Sequence, residues 1–190
     1  MRYLFESADK TKKRKPEGMA SGISAKVLEI RKESIKNCLG DLNTMPHRQH
    51  YLGTVNGVMY YDDSQAESVN ATWFTFENIV NPVVWIVGGS CHSNYSDLIG
   101  TARKSVRAIV SLGKEQENIE MTFKNVVKEI HTASSIQEAV HIASSIAQNK
   151  DIVLFSPSCK DEEMTFDKRG ALFIEEVNKL SFNPQLSTFN

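Results

Sequence analysis

Cys91-His92, with Cys159 further along, supplies two thiols and an imidazole, the donor types of a soft-metal site. Their spacing matches no zinc signature, so no metal is expected. His47 and His50 stand three apart, but Gln49–Val55 reads as a strand, which sends the two rings to opposite faces. His141 lies beside the apolar stripe of a helix and reads as a surface histidine. Asp161, Glu162 and Glu163 read as a solvated acidic loop. No G-x-x-x-x-G-K-[ST] occurs in the 190 residues, and no complete G-x-G-x-x-G follows a strand, so a standard dinucleotide site is unsupported. Gly88-Gly89 fits either a strand-end turn or a close backbone approach.

These residues need elements to position them. The chain has 41% hydrophobic and 24% charged residues, an ordinary globular balance and enough length for one buried core. Its formal net charge of −1 argues against a general nucleic-acid binder. Lys10, Lys12, Lys13, Arg14 and Lys15 read as part of a flexible basic tail over residues 1–18. Three widely spaced cysteines imply no disulfide framework. No apolar run approaches the ~18 residues of a membrane span, and no signal-type stretch opens the sequence. A cytoplasmic chain with no membrane contact is expected.

Met19–Leu39 carries a helical stripe of Leu28, Ile35 and Leu39, stopped by Gly40. Gln49–Val55 and Val58–Tyr61 flank Asn56-Gly57, a strong hairpin signal. Helical patterns at Val69–Ile79, Asp97–Lys104, Glu115–Val126, Ile136–Ala147 and Phe166–Leu180 then alternate with strand patterns at Val83–Val87, Arg107–Leu112, Lys128–His131 and Asp151–Phe155. That alternation predicts an α/β, Rossmann-like three-layer fold: a six-stranded, mostly parallel sheet, one antiparallel hairpin, and helices on both faces. In such a sheet chemistry belongs beyond the carboxyl ends of the strands, at loops 62–68, 88–95, 113–115 and 156–165.

Residues at those loops carry a resemblance. Met45-Pro46-His47-Arg48, Asn56-Gly57-Val58 and Tyr61-Asp62-Asp63-Ser64-Gln65-Ala66 resemble the opening of the C-terminal domain of the Mur ligases, whose D-glutamate-adding members read His-Arg, Asn-Gly-Val and Asn-Asp-Ser-Lys-Ala-Thr. The stretches 82–89 (Pro-Val-Val-Trp-Ile-Val-Gly-Gly), 108–113 and 154–159, and then Arg169-Gly170, follow in family order. The resemblance runs from about Met19 to Leu180. It implies a helix from the end of the family's central domain at 19–42, the C-terminal-like domain at 43–183, and a tail at 184–190.

The family couples ATP and magnesium to amide-bond formation in peptidoglycan precursor synthesis. A UDP-muramoyl-peptide carboxylate is phosphorylated, and the amine of the incoming amino acid, here D-glutamate, attacks it. By that resemblance Arg48 and Asp63 are candidates for nucleotide contact, and Ser64, Gln65, His92, Ser156 and Phe166 for substrate contact. Three departures stand at ligand positions. Gln65 replaces a lysine, Glu67 a threonine, and His92 the lysine of a loop one residue longer. Losing an ammonium and gaining a carboxylate changes the sign of a carboxylate-binding site. The resemblance therefore implies a bacterial C-terminal-domain-like fragment with no catalytic residue of its own, inactive alone. The alternative is a ligase subunit completed in trans by the ATP and UDP-sugar domains. A homodimer through the Met19–Leu39 stripe is a further expectation.

Overall fold

The Asn56-Gly57 pair turns the chain tightly, both residues lying at positive φ (51° and 79°), so β1 (His50–Val55) folds back on β2 (Val58–Asp62). This computed structural model describes residues 45–90 and 92–181. After the hairpin come α1 (Val69–Glu77), β3 (Val83–Gly89), a 3-10 turn (Tyr95–Leu98) and α2 (Ile99–Ser105). β4 (Val106–Gly113), α3 (Gln116–Phe123), β5 (Glu129–Ala133), α4 (Ile136–Ile146), β6 (Ile152–Phe155) and α5 (Phe166–Ser181) complete the order. The strands form one six-stranded sheet in the order β1-β2-β6-β3-β4-β5. β1 and β2 pair antiparallel, and every other pairing is parallel.

The predicted architecture is therefore the observed one. β3 is central and buried along its whole length, as an unbroken Val-Val-Trp-Ile-Val run requires. On one face Val84, Ile86, Val110 and Phe155 pack against Ala139, Val140 and Ala143 of α4 and Phe173 and Val177 of α5. On the other, Trp85, Val87, Ile109 and Leu154 meet Phe76, Leu98, Ala102, Ile119 and Phe123. Trp85 sits edge-on between Phe76 and Phe123, at centroid distances of 5.1 and 5.6 Å.

Four local readings change. The helix expected from Asp97 is a 3-10 turn followed by a short helix, because Asn94 caps the turn through Ser96 N–H and starts it early. His47 is not on β1: it lies in the approach to the strand at φ 61°, so strand alternation does not govern its direction. Of the two readings of Gly88-Gly89 the turn is overturned and the close backbone approach holds: both continue β3, paired with Leu112 and Gly113, and a Cβ at Gly88 would fall 2.4 Å from the Leu112 carbonyl oxygen. Cys159 is disulfide-bonded, which the cysteine spacing did not imply; neither other cysteine falls among the described residues. The expectations for residues 1–18, 19–42 and 184–190 also lie outside them.

Candidate functional site

The turns leaving β2 and β6 meet the first turn of α5 at the carboxyl edge of the sheet. There Asp62 ends β2, buried, with His47 Nδ1 2.6 Å from its Oδ2 and Ser64 N–H donating to its Oδ1 at 3.0 Å. Ser64 Oγ donates to the Phe166 carbonyl at 3.2 Å. The Phe166 ring stands edge-on to His47, with centroids 6.5 Å apart. Gly170 lies one helical turn along from Phe166, and no larger residue fits there. A Cβ at 170 would fall 2.2 Å from His47 Nδ1 and 2.4 Å from Ser64 Oγ.

Arg169 ties these turns together. Its guanidinium is buried, donates to the Ser64 carbonyl through Nη2 (2.6 Å) and Nε (3.1 Å), and reaches the Cys159 carbonyl at 3.3 Å. Nη2 also lies 3.4 Å from a Glu67 carboxylate oxygen. The Glu67 carboxylate is thus paired within the domain rather than left as free negative charge. Gln65 has its side-chain oxygen buried without a hydrogen-bond partner among the described residues.

Behind this layer lies a buried polar chain. Asp63 accepts from Arg48 Nη1 (2.5 Å), Thr75 Oγ1 (2.7 Å), Ser156 Oγ (2.8 Å) and the Gln49 N–H (3.2 Å). Ser156 and Ser158 each meet Thr72 Oγ1 at 2.8 Å, and the Ser156 carbonyl takes the Trp85 indole N–H. Arg48, 4% exposed, also donates to the Ala71 carbonyl. Burial pushes Asp63 up to about 6, against the pull of Arg48, Thr75, Ser156 and the Gln49 N–H. Arg48, Asp63 and Ser156 therefore sit in one sealed network, and none presents a free face to a ligand in this structure.

His92 stands elsewhere, at the ends of β3 and β4. Its ring is 90% exposed, yet Nδ1 lies 2.8 Å from the buried carboxylate of Glu115. Glu115 also accepts from Ser93 N–H and Asn118 Nδ2. Burial and the adjacent Glu115 carboxylate push the Tyr95 hydroxyl well above the usual tyrosine range. The acidic loop is more than a solvated run. Asp161 accepts from Ser90 Oγ and Glu163 N–H, the same Ser90 Oγ accepts the Glu162 N–H, and Glu163 pairs with Lys114 at 2.9 Å. Short side-chain-to-backbone bonds of this kind fold an Asp-containing loop back on itself.

The structure brings Ser64, Gln65 and Phe166 into one cluster, seals Arg48, Asp63 and Ser156 behind it, and leaves His92 on a neighbouring loop. Sequence reading missed Asp62, Thr72, Thr75 and Glu115 as members of these networks. Thr72 and Thr75 stand three apart on α1, the spacing that puts two hydroxyls on one helix face, and that was the available signal. Among the described residues there is no group of three His, Cys, Asp or Glu that could hold a metal ion. Arg48 is committed to Asp63 rather than free for phosphate.

No protein-family model matches the chain. Curated proteins do. Over 165 residues, 85% of the chain, it is 34% identical to a protein of Porphyromonas gingivalis and to one of Salinibacter ruber, covering 37% and 36% of those proteins. Over 173 residues it is 31% identical to a protein of Staphylococcus saprophyticus, of which it covers 37%. The chain thus spans little more than a third of the length of these relatives. Among solved structures the MurF ligase of Thermotoga maritima, in complex with ADP, shares the fold. It aligns with a TM-score of 0.50 and 16% identity, over 72% of this chain and 32% of that one. These findings place the matched residues in the Mur ligase family, as an α/β domain of it. The relatives just described are all named UDP-N-acetylmuramoylalanine--D-glutamate ligase.

Proposed function

We propose that this domain is the C-terminal-type part of a D-glutamate-adding Mur ligase and does not ligate by itself. The observation that carries the reading is 34% identity over 165 residues to ligases of that name, confined to about a third of their length. The family chemistry needs a triphosphate cradle and magnesium ligands, and the 190 residues contain no P-loop sequence. In this reading the domain acts in the cytoplasm, and Ser64, Gln65, Phe166 and His92 face the acidic amino acid. Arg48 and Asp63 serve nucleotide contact through the backbone they brace, at Gln49 and Ala71, because their own charges are spent on each other. Among the described residues no helix is long and apolar enough to cross a membrane.

A second reading, a subunit completed in trans, is favoured by the intact packing of the carboxyl edge around His47, Ser64, Arg169 and Gly170. One assay separates the two. Phosphate release is measured with UDP-muramoyl-alanine, ATP, magnesium and D-glutamate, first with the purified chain alone, then with the remaining domains of a relative added. No turnover in either arm is expected. Turnover by the chain alone above an Arg48→Ala control overturns the proposal. Turnover only with the added domains establishes the subunit reading in its place.

A further inference from the structure

A cavity of about 300 Å³ opens at the other end of the sheet, where the β1–β2 hairpin meets the C-terminal ends of α4 and α5. Its apolar walls come from Val55, Val58, Ala147 and Leu180 and from Tyr60, whose side chain projects from β2. Tyr60 is 2% exposed, and its hydroxyl has no hydrogen-bond partner among the described residues. Unlike the sealed Tyr95 hydroxyl, that of Tyr60 keeps access to the cavity, where water or a ligand acceptor can reach it. The other hydroxyls of the cavity are already spent: Ser144 Oγ donates to the His141 carbonyl and Ser145 Oγ to the Ile142 carbonyl. Among the described residues no Asp, Glu, Lys or Arg lines the cavity, so they offer a formally charged ligand no carboxylate, ammonium or guanidinium partner.

We propose that this cavity binds an uncharged, planar, bicyclic heteroaromatic molecule whose ring acceptor takes the Tyr60 hydroxyl proton. The size follows from volume. A cavity of about 150 Å³ holds one benzene ring, so 300 Å³ suits about two fused rings. The acceptor follows from Tyr60, whose hydroxyl opens to the cavity with no hydrogen-bond partner among the described residues. Burial holds Tyr60 up at about 12, so it keeps its proton at neutral pH. The site lies at the opposite strand ends from the Ser64 and Phe166 cluster and stands independently of the ligase reading.

The test uses the full chain and quinoline at neutral pH, followed by amide shifts in a two-dimensional NMR titration. Saturable shifts confined to residues around Val58, Tyr60, Ser144 and Ala147 are expected. Tyr60→Phe deletes only an unpartnered oxygen, so the fold persists, and it should weaken binding about fivefold, the worth of one hydrogen bond. Ser144→Leu places a good helix former in α4, fills the cavity and should abolish binding. Equal affinity for wild type and Tyr60→Phe overturns the proposal, as do shifts centred elsewhere. So does the absence of saturable binding, which would leave the phenol satisfied by water alone.

Discussion

Burial pushes Asp63 up to about 6 from an ordinary 3.8, while Arg48, Thr75, Ser156 and the Gln49 N–H pull it back. Between those two values the folded chain holds a proton that the unfolded chain has released. The stabilisation from this group is therefore complete below about pH 4 and is lost as pH rises through about 6. The difference amounts to about 3 kcal/mol. Urea unfolding at pH 4.5, 5.5 and 7 should show wild type losing stability relative to Asp63→Asn across that window. Asp63→Asn should be the less stable protein at pH 7, because it strands Arg48 without its counter-charge in a buried site. Parallel pH profiles for the two proteins would refute the assignment. A second single-atom test lies at Gly170, where an added Cβ meets two hydrogen-bonded groups rather than a yielding side-chain tip. Gly170→Ala should cost about 1–3 kcal/mol by overpacking, and an unchanged unfolding midpoint would show that His47 and Ser64 can move aside.

Elements were the most legible level of this molecule, for a reason visible in β3. A strand covered on both faces leaves a run with no polar interruption, and Val83–Val87 is such a run. Ile86→Ala should accordingly destabilise by about 2–5 kcal/mol. Val80→Ala, at a site 96% exposed in the loop before β3, should stay within about 0.5 kcal/mol. Comparable losses from both would mean that the central position of β3 is wrong. Boundaries blurred where a side chain outside the periodic run sets the end. Asn94 starts a 3-10 turn ahead of α2, and Asn78 closes α1 earlier than Ile79. The candidate site was legible only as a set of loops. Gln65, His92 and Glu67 could be marked as altered positions. Nothing in their order along the chain says that Glu67 meets Arg169 or that His92 meets Glu115, since 102 and 23 residues separate the partners. Pairing across loops is set by the sheet order, and periodicity does not encode it.

At the scale of the whole molecule, the two ends of the sheet are held differently. The centre rests on apolar packing against helices on both faces, whereas the carboxyl edge rests on hydrogen bonds that converge on Arg169 from Ser64, Cys159 and Glu67. Stability should be distributed accordingly, with β3 and β4 exchanging their amide protons only on global unfolding and loop 156–165 opening more readily. Arg169→Ala tests that partition. It removes buried donors from two backbone carbonyls and the counter-charge from Glu67, a loss of about 2–4 kcal/mol. Part of that loss lowers global stability and accelerates exchange everywhere by one common factor. The remainder should appear only at the edge, as a larger acceleration at residues 156–166 and 64–67 than in β3 and β4, with the sheet fold retained. Uniform acceleration across all of these segments would show instead that the carboxyl edge has no separate opening and unfolds only with the core.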